Sequence, residues 1–561
     1  MDLFVKILFI ALFFAATIFI GFYCRKKATN SNDFVLGGRN VGPWLSAFAY
    51  GTSYFSAVIF IGYAGSFGVA FGVSAFWIGI GNALIGSWLA WALLGRKTRI
   101  MTQSLNSSTM PDFFAKRFNS EGLRIFAAII IFIFLIPYTA ALYNGLSYLF
   151  NVTFSASVPY WVWILIISVA TGLYVIIGGL MSTALNSFVQ GLIMLVGIAL
   201  VIIFALNING GLMGSFEALA AKGWQFTSLF GPDPVHLLFV VLLTSLGCWG
   251  LPQMVGKFYS IKNENQIRKG SVISTAFAIV VAGGCYFLGG FGLLFLNADK
   301  SNTKTIIPDM VAQLPVVIVA IVLVLVLAAS MSTLSGLVHT SASTVTFDLL
   351  DRKKKMPEKK KMTWLRILVV VFIIVSAGLA IFQVYGPANL TKDIASLMGI
   401  SWGAISGAFI GPFFFGLYWK KTTKASVYAS FISGIVISVV GLALSLAGVD
   451  AKIQSESAGF TIRWFDFADS IYMGVLAMIL SFIIVPIVSS FTNKPENVDE
   501  IFKCYSHKVI VTSDVALTED LKKEEPTEEE SKEENEEVKN NEYEPLVEAT
   551  NESVVIHVNN E

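Results

Sequence analysis

Long apolar runs separated by short polar segments dominate the chain from residue 3 to residue 490. About thirteen of these runs have the roughly 18 or more residues that one helical crossing of a bilayer requires. The predicted spans are 3–24, 44–70, 74–94, 125–150, 160–177, 183–206, 235–255, 271–296, 308–350, 367–384, 394–419, 425–447 and 471–490. The pattern therefore predicts an all-α polytopic membrane protein, because only helices and closed barrels satisfy the backbone within lipid.

The composition supports this prediction. Hydrophobic residues make up 55% of the 561-residue chain, charged residues make up 14%, and the mean hydropathy is +0.70. An ordinary soluble domain has about 25% charged residues. The first run ends in Arg25, Lys26 and Lys27 without a small-residue cleavage site. We therefore expect a retained span and not a signal peptide.

The basic residues of the connecting segments predict the orientation. Alternate connections carry 25 Lys and Arg residues on one side of the predicted membrane and 7 on the other. Basic loops stay preferentially in the cytoplasm. We therefore expect a plasma-membrane protein with its N-terminus outside and its C-terminus inside, which requires an odd number of spans.

The C-terminal segment differs in composition from the rest. Residues 491–561 contain 20 acidic and 7 basic residues, a net charge of −13, whereas the preceding residues carry +15. Such a polar, acidic segment is typical of disorder. We expect a solvated cytoplasmic tail that could bind a partner protein, and we expect no nucleic acid partner.

Two of the predicted spans contain helix breakers near their middle. Span 2 contains FAYGTSYFSAVIFIGYAG from Phe48 to Gly65, and span 7 contains LTSLGCWGLPQMV from Leu243 to Val255. Glycine and proline let a chain leave helical geometry. The breaks fall in the first members of two sets of five spans, 2–6 and 7–11. Paired interruptions of this kind indicate an inverted-repeat secondary transporter.

A run of hydroxyls lies in span 9, in the uncharged segment from Leu327 to Thr344. On a helix Ser332 and Thr333 share a face with the backbone carbonyl of Ala329. These hydroxyls could simply bond to their own helix and allow close packing. With two carbonyls from the break at 51–56 they would instead form a five-oxygen shell for a hard cation. Sodium fits better than a proton because the acidic residues lie in loops or at span ends.

The sequence as a whole resembles the sodium:solute symporter family from Met1 to Ser490. The segments that carry the resemblance, in their order and spacing, are VLGGRNVGPW before span 2, LYVIIGGLMS at 173–182, LPQMVGKFY at 251–259, AASMSTLSG at 328–336 and YWKKTTKASVYASFISG at 418–434. The resemblance implies a LeuT-type fold of two inverted five-helix repeats with flanking helices. It implies a first helix and cytoplasmic loop at 1–43, a first five-helix repeat at 44–206 and a second, inverted repeat at 235–419. Two C-terminal helices follow at 420–490, and the acidic tail occupies 491–561.

The resemblance also implies positions for the bound sodium and solute. Its sodium site corresponds to the carbonyls of Thr52, Phe55 and Ala329 and the hydroxyls of Ser332 and Thr333. Between the two broken helices, the residues expected to line the solute site are Ser53, Tyr54, Ser56, Tyr138, Thr244, Cys248, Trp249 and Gln253. Trp402 is expected to act as a gate.

The chain departs from the family pattern at positions that bear on the solute and the ion count. Many relatives have an aspartate where this chain has Tyr54, and a Thr-Asp pair where it has Asn186 and Ser187. Tyr54 is expected to take the volume and hydrogen-bonding role of that acid. A second sodium site built on the acid of that pair is not expected, and the choice between one and two sodium ions per cycle stays open. Aromatic residues of proline transporters are replaced by Thr244 and Cys248, which weakens proline as the solute.

The expected function is sodium-coupled import of a small neutral or zwitterionic solute, with an amino-acid-like solute favoured. Two alternatives stay open: a sodium-independent facilitator, or a symporter for a sugar or a monocarboxylate. An enzyme is not expected, since no Ser/His/Asp set, HExxH motif or buried carboxylate pair is present.

Overall fold

The computed structural model describes residues 2–24, 30–154, 158–295, 306–353, 355–387, 394–457 and 460–506. Helices form almost all of this structure, which confirms the all-α fold class. In chain order they are α1 Asp2–Cys24, α2 Ser31–Leu36, α3 Pro43–Tyr54, α4 Ala64–Phe71, α5 Phe76–Gly81, α6 Arg96–Ser104, α7 Met110–Arg117, α8 Glu121–Thr153, α9 Tyr160–Asn207, α10 Gly211–Lys222, α11 Pro234–Leu246, α12 Pro252–Tyr259, α13 Asn265–Ala278, α14 Gly284–Gly289, α15 Ile306–Ala312, α16 Val316–Thr344, α17 Glu358–Tyr385, α18 Ile394–Tyr418, α19 Lys424–Leu446, α20 Ser470–Ser490 and α21 Val498–Phe502.

The described residues contain eleven helices that are long and apolar enough to cross a membrane, or up to twelve if a bent pair forms one span. The predicted count of thirteen is therefore not confirmed. Part of the difference lies in 58–104, a continuous run of α, π and 3-10 turns. It counts as one helix of 47 residues, although its backbone leaves helical angles at Gly72, where φ is +63°. Helix α9 is interrupted in the same way at Gly179.

Both predicted helix breaks are present. Helix α3 ends at Tyr54, and Phe55 has the extended angles φ −104° and ψ 132° before helical turns resume at Val58. Helix α11 ends in a short 3-10 turn, and Leu251 is extended before α12 begins at Pro252. The axis bends by 41° at this second break. Each break exposes backbone polar groups in the middle of a span.

Helix α16 forms the centre of the bundle. It packs against α1, α3, α8, α9 and α17. Every residue from Val322 to His339 is buried, including all the hydroxyl-bearing ones. The predicted hydroxyl run therefore faces protein and not lipid, which makes its polar groups available to other helices.

We call the side of the bundle that carries the Lys- and Arg-rich loops the basic face. There Arg39 donates to the backbone oxygens of Tyr259 at 3.2 Å and Ser107 at 2.6 Å. The backbone of Val41 pairs with Ser260 and Lys262. Burial lowers the pKa of Arg39. These contacts join the start of the first broken helix to the end of the second.

A buried ionic cluster joins other elements of the basic face. Arg124 on α8 lies 2.8 Å from the carboxylate of Asp112 and 3.8 Å from that of Asp348. Asp348 also accepts a hydrogen bond from the Thr109 hydroxyl at 2.7 Å. This acid at the end of a span therefore has a structural role.

The opposite face carries a two-stranded antiparallel hairpin between α19 and α20. Its strands are β1, Lys452–Ser457, and β2, Phe460–Asp466. Arg463 contacts Asp233, which caps α11, and Asp469, which caps α20. The hairpin is therefore fixed to the start of the second broken helix.

The first residues of the predicted tail pack on the basic face. Helix α21 follows α20, and the Lys97 ammonium lies 3.9 Å from the centre of the Tyr505 ring. Lys420 pairs with Asp499 at 2.9 Å. The remaining tail, from residue 507, lies outside the described residues.

Glycine permits a close crossing between α4 and α14. A Cβ atom added to Gly68 would lie 1.9 Å from the backbone oxygen of Gly289. That oxygen cannot move without shifting the helix. Small residues at such crossings let membrane helices approach closely.

We predict that Gly68→Ala lowers the thermal stability of the purified full chain in detergent. Overpacking of this kind costs about 1–3 kcal/mol. The matched control is Gly378→Ala in α17, because an added Cβ there meets no atom within 4 Å. An equal melting temperature for the two variants would contradict the close crossing.

Candidate ion and solute site

Three backbone carbonyls and one hydroxyl converge where α16 passes the break after α3. The Thr333 hydroxyl oxygen lies 3.1 Å from the carbonyl oxygen of Ala329, 3.2 Å from that of Phe55 and 3.5 Å from that of Thr52. Both residues that carry the predicted carbonyls of the break thus lie next to α16. The Ala329 contact is the bond that a threonine makes to its own helix.

The fifth predicted residue lies beside this group. The Ser332 hydroxyl is 2.6 Å from the hydroxyl of Thr52 and 3.0 Å from that of Ser187 on α9. Nearby, the Ser330 hydroxyl accepts a hydrogen bond from the backbone N–H of Ala57 at 3.0 Å. The structure therefore brings all five sequence-predicted sodium residues together and adds Ser187.

The donor set has the chemistry of a site for a hard monovalent cation. In the described structure these oxygens contact only hydroxyls and backbone groups. Around a cation of calcium or sodium size, oxygens about 2.4 Å from the ion lie about 3.4 Å apart when neighbouring bonds are at right angles. The spacings around Thr333 are close to this value. Neutral oxygens alone suit a single positive charge better than two.

Tyr54 connects the two broken helices. Its hydroxyl donates to the backbone carbonyl of Thr244, one turn before the second break. The same hydroxyl lies 3.3 Å from the side-chain oxygen of Asn82 and 3.6 Å from the sulfur of Cys248. Tyr54 is fully buried, so this contact replaces water as the partner of a backbone oxygen.

Three aromatic rings surround the first break. The Trp402 ring on α18 packs edge-on against Tyr54, with ring centres 6.4 Å apart, and against Tyr138 at 5.9 Å. The indole N–H of Trp402 and the hydroxyl of buried Ser56 both lie next to the Tyr138 hydroxyl. Polar groups between aromatic rings can orient a polar solute.

The remaining predicted solute residues point in different directions. The Ser53 and Thr244 hydroxyls bond to their own helices, at the carbonyls of Ala49 and Val240. The Trp249 indole donates to the carbonyl of Ile85 at 3.0 Å, and its ring stacks with Phe414.

Gln253 also lies apart from Tyr54. It lines a separate cleft on the basic face. The structure therefore groups Tyr54, Ser56, Tyr138, Cys248 and Trp402, and it separates Trp249 and Gln253 from them.

Sequence reasoning missed Asn82 in the first repeat. Its side-chain oxygen lies 3.1 Å from the Ser245 hydroxyl and 3.3 Å from the Tyr54 hydroxyl. A lone amide in the apolar sequence GIGNALIG is the signal that could have indicated it. Asn186 by contrast faces α1, where it donates to the Thr17 carbonyl.

Comparisons with known proteins show which transporters this chain resembles. The family model described as "Sodium:solute symporter family" matches residues 34–461. The osmoregulated proline transporter OpuE of Bacillus subtilis is 28% identical over 500 residues, covering 87% of this chain and 95% of that protein. A sodium/proline symporter of Staphylococcus aureus is 29% identical over 505 residues, covering 87% and 92%.

A solved structure of a Na+-coupled sialic acid symporter, in a substrate-bound outward-open state, has a similar fold. It aligns with a TM-score of 0.67 and 17% identity, covering 87% of this chain and 98% of that one. The likeness confirms the predicted LeuT-type fold class.

We predict that Tyr54→Phe lowers the melting temperature of the full chain, because the Thr244 carbonyl loses its donor within the membrane. A buried polar group left without a partner costs about 1–3 kcal/mol. The control is Tyr23→Phe, since the Tyr23 side chain is 64% exposed at the surface of α1. Unchanged stability of both variants would show that the hydroxyl does not hold the two breaks together.

Proposed function

This chain belongs to the sodium:solute symporter family, and we propose that Thr52, Phe55, Ala329, Ser332 and Thr333 bind the sodium ion that drives solute import. It is a transporter and not an enzyme, and it couples the movement of a small organic solute to sodium. The finer assignments of ion ligands, solute class and orientation are the proposal.

One observation carries the sodium assignment. Three carbonyl oxygens lie within 3.5 Å of one threonine hydroxyl. A hydroxyl has a single proton and can satisfy only one of them at a time. A cation placed among these oxygens would serve every one of them, so the group is better matched to an ion than to its own hydrogen bonds.

The solute class follows from the groups around the first break. Tyr54, Ser56, Tyr138, Cys248 and Trp402 are all neutral, and they offer hydroxyl, thiol and indole groups between aromatic walls. Neutral polar groups of this kind suit a small neutral or zwitterionic molecule. The two proline-transporting relatives favour an amino acid, whereas a sugar or a monocarboxylate is the alternative.

The mechanism is alternating access with one sodium ion. We place the basic face in the cytoplasm, the N-terminus outside and the C-terminus inside, in a plasma membrane. Sodium joins the first broken helix to α16 and so favours the conformation that binds solute. Coupling then equals the difference in ion affinity between the two conformations.

The available driving force can be bounded. One charge crossing 100 mV releases about 2.3 kcal/mol, and a tenfold sodium gradient adds about 1.4 kcal/mol. Together they allow roughly several hundred-fold accumulation of a neutral solute. A second sodium would square that limit, but the span that carries an acid in many relatives has Asn186 and Ser187 here.

A sodium-independent facilitator is the second candidate. It is favoured by the bond between the Thr333 hydroxyl and the Ala329 carbonyl, because this contact within one helix needs no ion. In a facilitator the aromatic cluster would still bind the solute, but the carbonyls of the break would not bind an ion. The acidic tail would in either case remain a candidate docking segment for a protein partner.

We predict that the double variant Ser332→Ala, Thr333→Ala raises the sodium concentration needed for half-maximal uptake at least tenfold. The variant removes both hydroxyls from the proposed shell and leaves its carbonyls in place. Uptake is measured in proteoliposomes over a range of sodium concentrations, with protein yield in the membrane as the folding check.

The matched control is Ser335→Ala on the same helix. The Ser335 hydroxyl is buried and bonds to its own helix at the Ser332 carbonyl, 2.8 Å away. Sodium activation should therefore stay within about twofold of the parent. Parent-like sodium dependence in the double variant would overturn the site assignment.

Replacing sodium by potassium separates the symporter from the facilitator. We predict that a panel of amino acids, sugars and monocarboxylates contains a solute that stabilises the full chain more strongly in sodium than in potassium, because binding to the folded state raises its melting temperature. Uptake of that solute should fall at least tenfold in potassium. Equal uptake in both salts would favour the facilitator.

A further inference from the structure

A narrow cleft opens on the basic face, away from the aromatic cluster. It lies between α2, α7, α9, α12 and α16, and its lining includes Ser108 and Thr109 of a basic-face loop. Its wall includes Lys257, Gln253 and His339, each more than nine-tenths buried, at 8%, 5% and 6% exposure. None of them takes part in the ion shell described above.

Lys257 stands in this cleft without a counterion. The ion pairs and side-chain hydrogen bonds found in the described part of the chain do not include its ammonium group. A buried charge is costly unless it is paired. A single unpaired cation in the wall of an opening indicates that its partner arrives from outside the protein.

The other two side chains offer acceptors. His339 Nε2 lies 3.4 Å from the Val35 carbonyl oxygen, which can only accept, so the tautomer that bonds there has its proton on Nε2 and a lone pair on Nδ1. Neither His339 Nδ1 nor the side-chain oxygen of Gln253 has a partner among the described residues. The cleft therefore presents one cationic donor and two neutral acceptors.

We infer that this cleft is a second subsite for an amino-acid zwitterion, occupied on the way to the basic face. Lys257 pairs with the solute carboxylate, while Gln253 and His339 accept N–H groups of its amine. This inference rests on the proposed function, because it makes the solute a zwitterion and excludes a sugar. Neither a plain carboxylate nor a plain cation would match all three groups.

The position of the cleft fits an exit path. Its deep end is Gly336 on α16, one turn beyond Ser332. A Cβ added at Gly336 would lie 4.0 Å from the hydroxyl of Ser53 at the first break. Thr340, Ser343 and Thr344 continue the lining toward the basic face. A solute that leaves the break in this direction meets Lys257 next, once the lining helices separate.

The test uses the purified full chain and its thermal stability in sodium and in potassium. The probes are L-proline, L-alanine and L-serine at millimolar concentration, with acetate, chloride and glycerol as comparison ligands. The subsite does not include the ion shell. We therefore expect part of the stabilisation by the zwitterions to persist in potassium, to vanish in Lys257→Met and to remain in Lys257→Arg.

Two further readouts keep the outcomes distinct. Without ligand, Lys257→Met should melt higher than the parent, because it removes an unpaired buried charge. The zwitterions should stabilise the chain further in sodium than in potassium, and this difference should remain in Lys257→Met. If the difference were absent from the parent and from every variant, the result would count against the proposed function and not against the subsite. The zwitterion subsite would be overturned if the zwitterions gave no stabilisation in potassium. It would also be overturned if that stabilisation persisted in Lys257→Met, or if acetate or glycerol stabilised the chain equally.

Discussion

The structure depends on satisfying backbone groups that two broken helices release inside the membrane. Water is not available there, so protein side chains must supply the partners. The hydroxyls of Thr333 and Ser330 on α16 serve the first break, and the Tyr54 hydroxyl serves the helix that leads to the second. The buried position of α16 and the proposed ion shell are therefore two consequences of one requirement.

The features that depend on neighbouring residues in the chain were predicted from the sequence. Glycine and proline indicated the positions of both helix breaks, and the dense hydroxyls indicated that α16 faces polar partners. The contributions of Ser187 and Asn82 were not predicted, because each depends on which neighbouring helix packs against the break. Trp249 and Gln253 lie four residues apart yet serve different surroundings, since the chain is non-helical between them. Residue spacing alone therefore does not predict which way a side chain points at a helix break.

Charge is arranged so that the interior around the break stays neutral. The buried acids Asp112 and Asp348 meet Arg124 near the basic face, and Arg463 joins Asp233 to Asp469 at the opposite face. Burial raises the pKa of Asp233, whereas the nearby Arg463 lowers it. Each cluster fixes one end of the bundle. Lys257 differs from both, because it lines a cleft and no carboxylate of the described residues pairs with it.

The proposed ion shell would also let a helix break act as a coupling device. In the absence of an ion, the Thr333 proton can satisfy the carbonyl of its own helix or that of Phe55, so the two helices are held by a hydrogen bond of modest net strength, about 0.5–1.5 kcal/mol. A cation among the same oxygens attracts all of them at once and opposes separation of α3 from α16. The helices can then part only when the ion leaves. Release of sodium and opening of the path along α16 thus become one event, which is the condition for coupled transport.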